Sequence, residues 1–376
     1  MHGRGSRRGS DSALNMDEIA EREAPGVLTE IPRYGPEHAR SVTLERTQVP
    51  AINLALFFLT LLTTTMAGAY AAGAELSLRH PIASLAALSS GLSFSIPLMA
   101  ILLAHEMGHY LTARRNRVNT SLPYFIPAPY PSYFFIGTFG AFIKMREMPR
   151  SRRVMFDIGA AGPWAGVLVA IPCTVIGLRM SEISSISGQS GISLELGNSL
   201  IFWGLARWVL GVDPNTVNVT MHPTAFAGWL GLFVTTLNLL PIGQLDGGHV
   251  IYALFPRAHR TISTLFVSTC VLMVAVPFVL GYSFWGGWLL WAILGIALGL
   301  GHPSTMDRDT PLDHRRRIAA WMTIVLFIVT FVPVPASVNL PENQEPRKPE
   351  SYDVRYEAPA ARPLPGAIRG IAFPDR

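Results

Sequence analysis

The sequence predicts an all-α polytopic membrane protein with about seven transmembrane helices and a membrane-associated β-hairpin on the cytoplasmic side. Of the 376 residues, 49% are hydrophobic and only 15% are charged, and the apolar residues form runs long enough to cross a bilayer. A soluble domain carries about 25% charged residues. The net charge of +5 is modest. No basic stripe interleaved with aromatic residues indicates a nucleic-acid partner.

The apolar runs divide the chain into a membrane domain and two tails. Residues 1–50 are polar and rich in Arg, Glu, Gly, Ser and Pro, which is typical of a disordered tail, here expected in the cytoplasm. The membrane domain covers residues 51–335, and a proline-rich disordered tail is predicted at 336–376. The predicted spans are residues 52–72, 88–112, 156–178, 226–240, 262–280, 285–300 and 318–334.

Arginines set the expected orientation of these spans, because positive charge concentrates on the cytoplasmic side of membranes. Arg114, Arg115 and Arg117 directly follow the second span, so its C-terminal end should face the cytoplasm, by expectation that of a bacterial inner membrane. The apolar stretch 199–211 is ambiguous, since it could span the bilayer or be interfacial or re-entrant. Its length favours the second possibility.

Residues 118–155 separate the second and third predicted spans. Their first half is rich in prolines and aromatic residues, and the second half alternates like a strand, so we expect a β-hairpin. An exposed edge of this hairpin could accept an extended peptide as an added strand. A surface hairpin without a partner is the alternative.

The second span ends in an H-E-x-x-H motif at residues 105–109. His105 and His109 are four residues apart and share one face of a helix, so both imidazoles can bind one metal ion. Ionisable residues inside apolar sequence mark functional sites. Catalytic Zn²⁺ takes three protein ligands, and Glu106 is placed to act as general base and acid. The motif therefore predicts zinc-dependent hydrolysis.

The third zinc ligand must come from another part of the chain. Asp157 begins the third span and is expected to be interfacial. Asp246 follows the fourth span between Pro241 and the pair Gly247 and Gly248, which break the helix and let the carboxylate turn inward. An unpaired Asp near hydrocarbon is costly, so we predict that Asp246 is the ligand. An ordinary helix-terminal Asp is the alternative.

These motifs resemble the site-2 protease family of intramembrane zinc metalloproteases. The matching segments are residues 105–109, 137–141, 159–163, 238–241 and 245–248. With residues 301–303 they look most similar to the plant-chloroplast and bacterial branch, although no PDZ-like insert is evident. The resemblance covers roughly residues 50–335.

The resemblance implies roles for individual residues. The implied zinc ligands are His105, His109 and Asp246. Glu106 would be the catalytic base and acid, and Asn238 would be an oxyanion donor or substrate-positioning group, with a helix–helix hydrogen bond as its alternative role. The implied substrate-binding stretch, which would hold an extended peptide, contains Gly137, Thr138, Phe139 and Gly140.

The resemblance implies hydrolysis of peptide bonds in or near transmembrane helices of membrane proteins, within the lipid bilayer. A catalytically silent scaffold and a metal transporter are the alternatives. Loss of Glu106 or of a ligand would indicate the scaffold, and polar residues crossing several spans would indicate the transporter. Near the motif, we expect His249 to be a capping or loop histidine, with a supporting or spare-ligand role beside Asp246 as the alternative. We expect His302 to be interfacial.

Overall fold

The computed structural model describes residues 50–74, 81–128, 136–184, 193–214, 216–282, 285–302, 305, 307 and 310–339. All of them belong to one compact unit, Gln48–Arg376. The predicted N-terminal tail lies almost entirely outside the described residues, and so do residues 340–376 of the predicted C-terminal tail.

The described part of the chain is mainly helical. Its helices are α1 (Ala51–Ala71), α2 (Pro81–Leu88), α3 (Leu92–Arg115), α4 (Arg152–Arg179), α5 (Leu200–Leu210), α6 (Pro223–Asn238), α7 (Asp246–Leu254), α8 (His259–Leu280), α9 (Gly287–Leu298) and α10 (His314–Thr330). A 3₁₀ turn, Ser89–Gly91, joins α2 to α3.

Four segments of the described chain are long and apolar enough to cross a membrane, which confirms the fold class of a helical membrane protein. These segments are Ala51–Ala71, Ser84–Arg115, Arg152–Arg179 and His259–Leu280. Helices α6, α9 and α10, at the other predicted spans, have 16, 12 and 17 residues. A perpendicular span needs about 20 residues, so the predicted number of seven spans is not confirmed.

The ambiguous stretch 199–211 forms the short helix α5. Ser199 caps its start by accepting the backbone N–H of Phe202, and Gly211 ends it in the left-handed region with φ 73°. The 11 residues of α5 rise about 16 Å at 1.5 Å per residue, roughly half of the hydrocarbon core. The length of this helix favours an interfacial or re-entrant position over a span.

Three small antiparallel sheets complete the described fold. They pair β1 (Tyr124–Pro127) with β2 (Thr138–Phe142), β3 (Glu182–Ser184) with β5 (Asn218–Thr220), and β4 (Ser193–Leu196) with β6 (Ala336–Asn339). The first pair is the hairpin expected between the second and third spans, while its cytoplasmic position stays a prediction. Strand β6 occupies the first residues of the predicted C-terminal tail.

Helix α4 lies at the centre of the fold and packs against α3, α6 and α7. Small residues allow this close packing, as is common between membrane helices. A Cβ atom at Gly108 of α3 would lie 2.5 Å from the carbonyl oxygen of Ala161, and one at Gly177 of α4 would lie 2.0 Å from the backbone nitrogen of Ala225. Helix α4 therefore contacts both α3, which carries the H-E-x-x-H motif, and α7, which carries Asp246.

Candidate metal centre

Helix α3 presents both motif histidines toward the protein interior. His105 is 5% exposed and His109 is 6% exposed, and their Nε2 atoms lie 3.1 Å apart. The helical period places residues four apart one above the other on the same face, which brings the two rings together. Two ring nitrogens that meet at this distance can bind the same ion.

A backbone carbonyl on α4 fixes the ring of His109. Its Nδ1 atom lies 2.7 Å from the carbonyl oxygen of Ile158. A carbonyl only accepts hydrogen bonds, so this contact places the proton on Nδ1 and leaves the Nε2 lone pair available for a metal. Histidines that bind metals are commonly oriented in this way.

The chain reverses direction between α6 and α7 and returns Asp246 to α3. Helix α6 ends at Asn238, and Pro241 cannot donate the hydrogen bond that would extend the helix. Gly247 then permits a close approach, because a Cβ atom there would lie 1.9 Å from the carbonyl oxygen of Leu239. This turn starts α7 at Asp246, beside the two histidines.

The three predicted ligands come together in a compact triangle. Oδ2 of Asp246 lies 3.3 Å from Nε2 of His105 and 3.2 Å from Nε2 of His109. A tetrahedral zinc ion with bonds of about 2.0–2.1 Å separates its ligand atoms by about 3.3–3.4 Å. The triangle therefore fits a zinc ion, and among the described residues no other group of three His, Cys, Asp or Glu side chains meets as closely.

Glu106 lies beside the triangle and outside it. The residue is 6% exposed, and its carboxylate interacts electrostatically with all three predicted ligands. The backbone amide of Ile143, directly after β2, also acts on this carboxylate. Glu106 is thus influenced both by the ligand triangle and by the end of the hairpin, where a base could act on a water molecule.

Asn238 also reaches the centre. Its Nδ2 atom lies 3.1 Å from Nε2 of His105. This contact joins α6 to α3 and at the same time places the amide beside the metal position. Both roles considered for Asn238, the helix–helix contact and the polar group in the site, are compatible with its position.

Glycines in α4 make room for the histidines. A Cβ atom at Gly162 would lie 2.0 Å from Nε2 of His109, and one at Gly166 would lie 3.3 Å from Nδ1 of His105. The segment 159–163, which the sequence analysis matched to the site-2 protease family, therefore forms one wall of the centre together with Gly166.

The predicted substrate-binding stretch lies on β2. Gly137 has φ +76° and its carbonyl oxygen accepts a hydrogen bond of 2.7 Å from Thr63 of α1. Thr138 donates to the carbonyl oxygen of Ile126 across the hairpin. Phe139 is 58% exposed, whereas open space surrounds Gly140. Within the described residues β2 pairs only with β1, so its second edge is not covered by a strand.

The expectation that His249 is a capping or loop histidine is wrong. The residue lies inside α7, is 7% exposed, and places Nδ1 at 2.7 Å from Nε2 of His302. Sequence could not reveal this contact, because it depends on how the segment after α9 folds back onto α7. His302, expected at the interface, is half-buried and stacks on Tyr252.

Asp157 is not one of the three residues of the metal triangle. Instead, it links α10 to α4. Its two carboxylate oxygens accept hydrogen bonds of 2.8 and 2.7 Å from the guanidinium group of Arg316. Paired hydrogen bonds of this kind fix the relative orientation of the two groups. The arrangement gives a structural role to Asp157, the acidic residue that the sequence analysis placed at the start of the third span.

Known proteins resemble this chain across the same region. A family model, that of Peptidase family M50, matches residues 93–282, which include both histidines and Asp246. No solved structure matches the chain.

Two similar curated proteins are named as chloroplast proteins of plants. The chain is 30% identical over 258 residues to a probable zinc metalloprotease of Oryza sativa subsp. japonica, EGY1, in an alignment that covers 66% of this chain and 41% of the relative. It is 29% identical over 255 residues to the probable zinc metalloprotease EGY1 of Arabidopsis thaliana, covering 66% of this chain and 44% of the relative. The chain therefore spans less than half the length of these relatives.

Proposed function

Because this chain belongs to peptidase family M50, the site-2 protease family, we propose that it is an intramembrane zinc metalloprotease. It hydrolyses peptide bonds in or near transmembrane segments of membrane proteins, as in regulated intramembrane proteolysis. The observation that carries the proposal is the triangle of ligand atoms from His105, His109 and Asp246, with edges of 3.1–3.3 Å. The names of the relatives, probable zinc metalloproteases, support the same metal.

Each site residue has a distinct task in the proposed reaction. His105, His109 and Asp246 would hold the zinc ion, whose chemistry when bound would be to polarise the scissile carbonyl and to acidify a water molecule. Glu106 takes a proton from the attacking water and gives it to the leaving amine. Asn238 lies close enough to the ligands to donate its amide hydrogens to the oxygen of the carbonyl under attack.

Strand β2 is the proposed binding surface for the substrate. A transmembrane helix hides its carbonyl groups in hydrogen bonds between residues i and i−4, so the substrate must unwind locally before hydrolysis. The second edge of β2 can hold the unwound segment by backbone hydrogen bonds. The influence of the Ile143 backbone on Glu106 supports this proposal, because the strand would then end near the proposed base.

The proposed orientation has the active site toward the cytoplasm of a bacterial inner membrane. The arginine-rich end of α3 lies at the same end of the molecule as the first turns of α4 and α10. There Arg316 of α10 binds Asp157, and Arg153 of α4 donates a hydrogen bond of 2.9 Å to the carbonyl oxygen of Pro311. A basic end of this kind is expected on the cytoplasmic side.

The substitution Glu106→Gln tests the proposed reaction. The variant should bind zinc as the wild type does, since Glu106 lies outside the ligand triangle. Its cleavage of a model transmembrane substrate in liposomes should fall by about 10²–10⁴-fold, the usual contribution of a general base. Glu147→Gln is the matched control, because this exposed glutamate lies outside the site. Cleavage by Glu106→Gln at the wild-type rate would refute the mechanism.

The same variant separates the proposal from its alternatives. A metal transporter would still carry zinc across liposome membranes after Glu106→Gln, whereas a protease would carry no zinc either before or after the substitution. A catalytically silent scaffold would bind zinc but show no cleavage even in the wild type. Zinc content, metal flux and substrate cleavage measured on one preparation therefore distinguish all three.

A further inference from the structure

The first turn of α7, which carries Asp246, is held from two sides. On one side lies α4, where a Cβ atom at Gly159 would be 2.8 Å from Cβ of His249 and 3.5 Å from the carbonyl oxygen of Asp246. On the other side His302, between α9 and α10, meets Nδ1 of His249 at 2.7 Å. His249 follows Asp246 by three residues and shares its helical turn. A shift of His302 would therefore move the turn that contains Asp246.

His302 is itself fixed against α7. Its ring stacks on that of Tyr252, with centroids 4.2 Å apart and an angle of 13° between the planes. The hydroxyl of Tyr252 accepts a hydrogen bond from the backbone N–H of Thr305. The segment after α9 thus contacts α7 at two successive positions, His249 and Tyr252. These two contacts fix the orientation of the His302 ring relative to α7.

The histidine cluster does not form a second site of the same kind. His259 lies 5.5 Å from His302 between ring centroids. Among the described residues, the only three candidate ligand side chains whose atoms meet within 4.8 Å of one another are those of the triangle. The contact between His249 and His302 therefore indicates a support for the helical turn that carries Asp246, and not part of a second metal site.

We propose that His302 is a positioning residue for the metal centre, which holds Asp246 in place through His249. This inference rests on the proposed function, because it takes Asp246 to be a zinc ligand. Metal sites tolerate errors of about 0.2 Å in ligand distances, and loss of a group that orients a ligand typically lowers metal affinity about 10–100-fold. His302 contacts His249, Tyr252 and His259.

The test measures zinc affinity of the full chain in detergent by competition with a chelator. His302→Phe keeps an aromatic ring over Tyr252 and removes the hydrogen bond to His249. We expect this variant to bind zinc about tenfold more weakly. His302→Gln places an amide near the position of Nε2, so it should restore the affinity to within about threefold of the wild type. The zinc-free forms of all three proteins should still unfold cooperatively, which checks that both variants fold.

A second pair of variants keeps the test decisive if one protein folds poorly. In a His249→Leu background the hydrogen bond is already absent, so His302→Phe should cause no further loss of zinc affinity. His314→Phe is the control, because this exposed histidine at the start of α10 lies outside the cluster. Its zinc affinity should equal that of the wild type.

The outcomes separate this inference from the proposed function. If the wild type binds no zinc, the proposed function fails. If the wild type binds zinc and His302→Phe binds it equally well, only the positioning role fails. Equal weakening by His302→Phe and His302→Gln, or additive losses in the His249→Leu background, would also overturn the positioning role, since both results indicate packing alone.

Discussion

Replacing Gly162 with alanine is the sharpest single test of the metal centre. A Cβ atom at this position would lie 2.0 Å from Nε2 of His109 and 2.4 Å from two of its ring carbons. The ring cannot simply swing away, because the bond from Nδ1 to the carbonyl oxygen of Ile158 holds its other side. The substitution therefore acts directly on one predicted zinc ligand.

The size of the effect follows from the distances. Ordinary contact between such atoms needs about 3.5 Å, so Nε2 would have to move by about 1.5 Å. Zinc sites tolerate about 0.2 Å. We expect Gly162→Ala to lose roughly 100-fold or more in zinc affinity, beyond the upper range for groups that only orient a ligand. Helix α4 itself should be stabilised slightly, because alanine favours helices over glycine.

Gly166→Ala is the matched control on the same helix. Its Cβ atom would lie 3.3 Å from Nδ1 of His105, so a shift of a few tenths of an ångström suffices. Zinc affinity is measured for both variants by chelator competition in detergent, and thermal unfolding of the zinc-free forms checks that both fold. Equal zinc affinity in Gly162→Ala and Gly166→Ala would refute the assignment of His109 Nε2 as a ligand atom.

Two further predictions concern the hairpin and the end of α10. Gly137→Ala should lower substrate cleavage but leave zinc binding intact, because its Cβ atom would meet the carbonyl oxygen of Thr63 at 2.5 Å. Gly204→Ala is the control, since Gly204 lies in α5, outside the hairpin, with open space around it. Equal cleavage by both alanine variants would contradict the role of the hairpin. The backbone N–H and guanidinium groups of Arg316 lower the pKa of Asp313, the N-cap of α10, so its carboxylate stabilises the fold at neutral pH and this stabilisation is lost as the pH falls through the lowered pKa. The melting temperature of the wild type should exceed that of Asp313→Asn at pH 7, and the difference should vanish in acid. A difference that persists in acid would refute the contribution of the ionised Asp313 carboxylate to stability.

Local sequence rules account for the ligands because each rule acts over a few residues. The helical period sets the spacing of His105 and His109. Pro241 ends the helix before Asp246 because proline has no backbone N–H group to donate. Hydropathy located the apolar helices but overestimated the lengths of some, because apolar residues continue past the helix ends. Residues 331–335 leave α10 as a proline-containing extended segment although they are largely apolar.

The groups that orient the ligands could not be predicted in the same way. The carbonyl of Ile158 carries no side-chain signal, and its contact with His109 depends on the packing of α4 against α3. The contact between His249 and His302 likewise joins segments far apart in the chain. Residue type alone therefore did not reveal the role of His249.

The turn that returns Asp246 to α3 has a mechanical consequence. A zinc ion in the triangle would be a crosslink between two helices that are distant in sequence, since α3 supplies two of its bonds and α7 the third. A ligand that binds only the folded chain stabilises it by about 2.7 kcal/mol when present at 100 times its dissociation constant. The ion that performs the chemistry would thus also clamp the membrane domain, so chelation should make the protein both inactive and more easily degraded by proteases.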